Sequence, residues 1–277
     1  MHGAFFGIAT TSVLSVLLIC IFLFSNGLPA IAQIGLLDFL FGSEWSPSDT
    51  PPLFGILPMI LGSIYITLGA ILFGVPVGIL TAVFMAKFCP DNIYKLVKPC
   101  VDLLAGIPSI VFGFFGMMLL VPLIRTTWGG NGSSILTASI LLGIMILPTI
   151  IAVSESAIRA VPQSYYEGAI ALGASHERSI FCVLLPAASS GIIASVVLGM
   201  GRAIGETMAV IMVAGNQARL PGSVLQGVRS LTANIVLEMG YAADLHREAL
   251  IATGVILFTL ILLINLSFSL LTRKEPS

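Results

Sequence analysis

The chain is built from long segments without a single Asp, Glu, Lys or Arg, at residues 3–37, 50–86, 103–124, 126–154, 179–201 and 249–272. An α-helix needs about 20 apolar residues to cross the hydrocarbon of a bilayer, and every segment is long enough. The first two exceed one crossing and must include flanking loop. Proline, glycine and polar punctuation place six predicted spans near residues 4–25, 55–86, 100–123, 134–158, 188–214 and 248–271. Pro58, Pro76, Pro108, Pro122 and Pro148 lie in or at the ends of these spans, where neighbouring helices or local unwinding re-satisfy the freed carbonyls. Gly74 and Gly78 give the second span a small face suited to close helix packing. The pattern predicts an all-α, polytopic membrane protein.

Composition removes the soluble alternative. Only 9% of the 277 residues are charged and 57% are hydrophobic, with a mean hydropathy of +1.07. A soluble domain carries about 25% charged residues, so a water-facing surface cannot be made from this chain. A net charge of −1 offers nothing to a polyanion, and nucleic acid is excluded as a partner. The first 25 residues lack the basic start of a secretory signal, and their apolar stretch runs too long; Cys20 follows Leu17-Leu18-Ile19 without the small residue of a lipoprotein cleavage site. They are expected to form an uncleaved first span. Cys20, Cys89, Cys100 and Cys182 show no metal-ligand spacing and are expected as free thiols.

Six crossings put both termini on one side, and basic residues say which. With the N-terminus inside, the inner segments hold Lys87, Lys95, Lys98, Arg159, Arg178, Arg273 and Lys274, whereas the outer ones hold Arg125, Arg219, Arg229 and Arg247. Both termini are therefore expected in the cytoplasm. Outside, residues 29–49 are partly amphipathic and end in the turn Trp45-Ser46-Pro47, fit to lie along the interface.

The inner loop at 159–187 has its own architecture. Pro162 suits the first turn of a helix and Gly173 its end, Ser175 can cap a second short helix, and Pro186 opens span five. Gly168, Ala169 and Ala171 give this helical hairpin a face of small side chains that a partner can approach closely. Glu167-Gly168-Ala169, three residues, Gly173, nine residues, then Val183-Leu184-Leu185-Pro186 resembles the EAA loop of ABC importer permeases, with Gly168 for the first alanine and Val183 for isoleucine. That resemblance implies that Tyr166, Glu167, Gly168, Ala169, Gly173, Leu185 and Pro186 belong to a coupling helix that docks on an ATPase subunit. The chain has no glycine-rich phosphate loop ending in Lys-Ser/Thr, so ATP is expected to be used by a partner polypeptide, with no cofactor bound here.

Span five carries charge at membrane depth. Gly201-Arg202-Ala203-Ile204-Gly205-Glu206-Thr207-Met208 puts Arg202 and Glu206 four residues apart, on one helical face. Ionised groups in a membrane usually pair, face a bundle interior or mark a substrate path. Two readings stand: a buried ion pair locking two helices, or an anion path. Arg before Glu is the weaker order for a helical pair. A guanidinium stays charged and offers a planar donor fork suited to phosphate. In the second reading Glu206 holds Arg202 in the empty state or accepts the proton of monoprotonated phosphate, with Thr207 beside them.

The run Gly201–Val210 with Val213-Ala214-Gly215-Asn216 resembles the PstC-type permeases of phosphate-specific ABC transport. So do Ala105–Gly116, Gly143–Thr149, Arg159–Pro162 and Leu231–Gly240, and upstream Trp45–Pro47 and Phe54–Pro58. The sister PstA type typically follows its Arg–Glu pair with Thr-Ala-Pro, where Thr207-Met208-Ala209-Val210 stands here. The resemblance implies a type I ABC importer permease (MetI-like) fold, with a first helix and interfacial segment at 1–54, a five-helix core at 55–272 and a cytoplasmic tail at 273–277. It also implies an inner-membrane permease for inorganic phosphate, not itself an enzyme. Its partners would be a second, PstA-type permease, an ATP-binding subunit dimer and an extracytoplasmic phosphate-binding protein.

Other residues carry smaller expectations. Glu155 is expected as an interfacial carboxylate, Asp102 as an acid opening span three, where the helix dipole favours it, and His176 as part of the ATPase-facing surface. Glu238 and Thr232 lie in a long outer loop with no assigned role, and no Ser/His/Asp triad assembles. The rival functions are a permease for sulfate or molybdate, an ion-coupled secondary transporter using Arg202 and Glu206, for which no inverted repeat is visible, and a scaffold.

Overall fold

A computed structural model describes residues 2–272, with side chains from 5 to 267; the tail at 273–277 lies outside the described residues. The chain runs α1 His2–Ile34, α2 Leu36–Phe41, a two-stranded antiparallel ribbon (β1 Trp45–Ser46, β2 Leu53–Phe54), then α3 Leu57–Val83. There follow α4 Asp91–Gly106, α5 Ser109–Phe115, α6 Val121–Trp128, α7 Ile135–Ala160 and α8 Gln163–Ala171. The rest is α9 His176–Ser179, α10 Leu185–Ala187, α11 Ser189–Gly205, α12 Met208–Val213, α13 Leu231–Glu238 and α14 Asp244–Thr272. Widened π turns at Phe84–Phe88, Gly116–Leu120 and Ile180–Leu184 join consecutive helices.

Among the described residues, five helical stretches are long and apolar enough to cross a membrane: Phe5–Ile34, Leu57–Phe88, Ser109–Trp128, Ile135–Ala160 and Asp244–Ser267. Ser189–Gly205 passes the same test only together with His176–Ala187, from which it is bent by 69°. The core surrounds α7. Ser139 donates to the Ile66 carbonyl at 3.2 Å, and Gly74 and Gly78 lie against Gly143, Ile146 and Ile150. A Cβ on Gly74 would sit 2.8 Å from the Gly143 carbonyl oxygen. The order of these contacts makes α3 and α7 parallel, whereas α11 runs back along α7, with Gly191 at Ala157 and Gly199 at Ile150. Lipid is as apolar as leucine, so such pairs are held by close packing of small residues rather than by water exclusion.

Parallel α3 and α7 define two ends. The ribbon, the start of α3 and the start of α7 share one; the ends of α3 and α7 and the hairpin α8–α10 share the other. α1 packs antiparallel to α14, with Gly27 against Ala252 and Val255, and its outer face is a row of exposed apolar side chains from Phe5 to Phe22. It is the peripheral helix.

Three expectations change. Span three is Ser109–Trp128 rather than 100–123, because the chain breaks at Ile107-Pro108, both extended. Asp102 therefore opens no span: it lies near the end of amphipathic α4, ion-paired to Lys98 at 3.5 Å. Span five is interrupted as well. α11 stops at Gly205 and Glu206 is extended (ψ 133°), so Arg202 and Glu206 do not share a helical face.

Candidate functional site

The break at Glu206-Thr207 lies inside the bundle. Arg202, on the last turn of α11, donates from Nη1 to Thr149 Oγ1 at 3.3 Å. Thr149 is near the middle of α7, so the guanidinium sits close to mid-depth. Among the described residues Arg202 has no carboxylate partner. Gly201 and Gly205 flank it with open space where a Cβ would be. Glu206 turns the other way: its Oε1 accepts the Ala209 amide at 3.2 Å, capping α12, and its carbonyl accepts the Thr232 hydroxyl of α13 at 3.0 Å. Thr207 Oγ1 bonds back to the Gly205 carbonyl at 3.3 Å. The structure thus places the three residues at one break without pairing the two charges, and leaves a cation half-exposed with most of its donors unused. Ser63, Thr67 and Ser230 line a small cavity together with Glu206.

The 159–187 segment is a helical hairpin, as expected. Gly173 adopts φ +88°, a conformation that glycine reaches without strain. Ser175 accepts the Arg178 amide and caps α9. The Glu177 carboxyl is held below the usual range by its own backbone N–H and then by the Ser175 hydroxyl. Glu167, Gly168, Gly173 and Pro186 are exposed, and a Cβ on either glycine would meet nothing. Tyr166 is half-buried, its hydroxyl 2.9 Å from His176 Nδ1. Ala169 is buried. Leu185 packs with Tyr166 against Ala82, Val83, Ile158, Ile180 and Leu184, so it fastens the hairpin to α3 and α7 rather than facing outward. Leu172, which no sequence pattern singles out, is 92% exposed at the tip.

Two polar hubs escape the sequence reading. At the hairpin end Glu155, near the end of α7, is buried. Its Oε1 accepts Tyr94 Oη at 2.8 Å and Arg159 Nε at 2.9 Å, and Lys98 Nζ lies 3.5 Å from Oε2. Arg159 also stacks over the Tyr94 ring at 4.9 Å and donates to the Met85 carbonyl at 2.8 Å. The Tyr94 hydroxyl is pushed above its ordinary value by the hydrogen bond to Glu155 and by burial. Burial alone would lower Lys98, but Glu155 and Asp102 outweigh it and raise its pKa. The pair Glu155/Arg159 at i, i+4 within an apolar run was the available signal.

At the ribbon end Glu238 accepts Trp45 Nε1 and lies beside His246 Nε2, both at 2.8 Å, and accepts Arg229 Nη1. Arg229 further binds the Asn216 carbonyl at 3.1 Å and Asn234 Oδ1 at 3.0 Å. These residues come from four separate segments, and no spacing announces them.

Comparison with known proteins agrees with this architecture. Residues 74–275 match the family model described as "Binding-protein-dependent transport system inner membrane component". A probable ABC transporter permease protein of Bacillus subtilis, YqgH, is 40% identical over 94% of this chain and 84% of its own length. The phosphate transport system permease protein PstC of Mesorhizobium japonicum is 34% identical over 89% of this chain and 81% of its own. Among solved structures, the MetNI methionine ABC transporter in inward-facing conformation superposes with a TM-score of 0.64 at 20% identity, over 79% of this chain and 94% of that one.

Proposed function

The chain belongs to the family of binding-protein-dependent transport system inner membrane components, with the MetI-like permease fold, and from that premise we propose that it is the transmembrane permease subunit of an ATP-driven importer of inorganic phosphate. The observation that carries the proposal is Arg202, a guanidinium near mid-depth of the bundle, without a carboxylate partner and beside open space at Gly201 and Gly205. An unneutralised cation there is costly unless an anion visits it. Its planar donors match the oxygens of a tetrahedral oxyanion. Phosphate is favoured among oxyanions because the curated relatives at 31–34% identity include several phosphate transport permeases of PstC type. Glu206 contributes a carboxylate oxygen not engaged with Ala209, able to accept a hydrogen bond from the P–O–H of monoprotonated phosphate, and Thr207 a hydroxyl at the same break.

In this reading the hairpin end faces the cytoplasm together with both termini, as the lysines at 87, 95 and 98 favour. Glu167, Gly168, Gly173 and Pro186 form the surface for an ATP-binding subunit dimer, with Ala169 buried beneath it and Tyr166 and Leu185 holding that surface to the bundle. A second, PstA-type permease completes the path, and an extracytoplasmic phosphate-binding protein delivers to the ribbon end. ATP is hydrolysed by the partner subunits; the work of this chain is positional.

The test is radiolabelled phosphate uptake by the reconstituted complex, with sulfate and molybdate as competitors. Arg202→Ala is expected to abolish uptake and Arg202→Lys to leave a small fraction, because lysine keeps the charge without the donor fork. Undiminished uptake by Arg202→Ala, or full competition by sulfate, overturns the proposal.

A further inference from the structure

We propose that Glu155 is a positioning residue for transport, the link through which movement of the α8–α10 hairpin reaches the wall of the path beside the Glu206-Thr207 break. The inference rests on the importer reading above.

Two helices meet at this carboxylate, and two more segments are reached through Arg159. α7 supplies Glu155 and Arg159, α4 supplies Tyr94 and Lys98, the π turn after α3 offers the Met85 carbonyl, and α8 begins four residues beyond Arg159. A π turn spaces its main-chain bonds at i−5, as in Cys89 N–H to the Phe84 carbonyl. Such turns recur at functional sites, and here Met85 O is free to accept Arg159.

The hairpin is fixed to the same turn of α7 by apolar contact, since Ile158 packs with Ile180 and Leu184 and with Val161, Tyr166 and Leu185. A displacement of the hairpin therefore acts on Ile158 and Arg159 directly. Arg159 passes it to the end of α3, and Glu155 passes it to α4.

α4 leads onward. It ends at the extended pair Ile107-Pro108, and the chain restarts as α5. α5 lies against α12: a Cβ on Gly113 would be 3.0 Å from the Ala209 Cα and 2.7 Å from Met212 Sδ. α12 is the helix that Glu206 caps. The route from hairpin to break is thus a chain of contacts between rigid helices with one hinge, at Ile107-Pro108. No residue of α4 is fully buried; Leu104, near its end, packs against the core as a partly buried side chain, whereas its first half is tied to α7 by the polar cluster. That is why the link is assigned to Glu155.

The experiment uses the whole complex in proteoliposomes and measures phosphate uptake and ATP hydrolysis in the same sample. In Glu155→Gln, which keeps shape and loses charge, assembly and hydrolysis are expected to persist. Phosphate moved per ATP is expected to fall about tenfold, within the range of ordinary coupling free energies. Glu155→Asp should restore part of the ratio, because the charge returns on a shorter stem. Tyr94→Phe and Lys98→Met each remove one tie without creating a buried charge, and should give smaller losses of the same ratio. They keep the proposal falsifiable if Glu155→Gln fails to assemble. An unchanged ratio in Tyr94→Phe and Lys98→Met, or uptake and hydrolysis falling together in every variant, overturns it. Failure of the importer reading would appear differently, as no phosphate uptake by the unaltered complex.

Discussion

Removing the Glu238 carboxylate should destabilise the ribbon end more than any other single polar truncation there. Its oxygens serve Trp45, His246 and Arg229 together, and the side chains of Arg229 and Glu238 are only 18% and 9% exposed, so solvent screens the pair weakly. Taking one partner from a buried ion pair costs about 3–5 kcal/mol, because the other charge stays behind. Glu238→Ala should fall in that range. Glu238→Gln keeps one acceptor and should cost about 2 kcal/mol, near the value of a single charge-assisted hydrogen bond. Replacing both members, Arg229→Met with Glu238→Leu, should cost less than the sum of the single changes by about 1–3 kcal/mol. Recovery stays partial, since in the double variant Trp45 and His246 lose Glu238 and the Asn216 carbonyl loses Arg229. The chain has two tryptophans, and in a Trp128→Phe background Trp45 fluorescence reports this corner alone during unfolding in mixed SDS micelles. A Glu238→Ala variant within about 0.5 kcal/mol of the parent, the usual range of an inert surface change, would refute the reasoning, as would strict additivity of the pair.

Gly74→Val should cost about 1–3 kcal/mol by overpacking, since its first added carbon falls 2.8 Å from the Gly143 carbonyl; thermal aggregation in detergent reads this, and Gly168→Ala, added into open space, serves as the unchanged control. At Gly173, φ +88° tolerates asparagine but strains a β-branched residue. Gly173→Val is therefore expected to lose co-purifying ATPase subunit, and Gly173→Asn to keep it. The raised pKa values of Tyr94 and Lys98 mean that both protons are held more tightly in the folded protein. Their stabilisation is therefore complete below the ordinary values of 10.0 and 10.5 and is lost as pH rises through the higher folded values. Limited proteolysis of α4 should be flat from about pH 6 to 9 and rise above about pH 10; a rise already at neutral pH would contradict the assignment.

The spans were legible because a bilayer imposes a length on apolar runs, which survives in sequence without any knowledge of neighbours. The hairpin was legible too. Gly173, Ser175 and Pro186 act on the backbone within a few residues, and their consequences are local. What misled was continuity. Residues 100–123 and 188–214 look like unbroken apolar helices, and a four-residue spacing puts Arg202 and Glu206 on one face only if the helix continues. The chain instead stops at Gly205 because Glu206 finds bonds elsewhere, its carboxylate on the Ala209 amide and its carbonyl on Thr232.

The sequence by itself therefore determined the medium, the number of crossings and the turn chemistry of the hairpin, through the length of apolar runs and the short-range demands of glycine, serine and proline. Only tertiary structure decided which charges meet. Arg202 is left facing Thr149, Glu155 gathers Tyr94, Lys98 and Arg159, and Glu238 gathers Trp45, Arg229 and His246. Those pairings join residues up to 193 positions apart. A side chain in an apolar medium takes whatever polar partner the packing of helices brings within reach, and that packing is a property of the whole bundle.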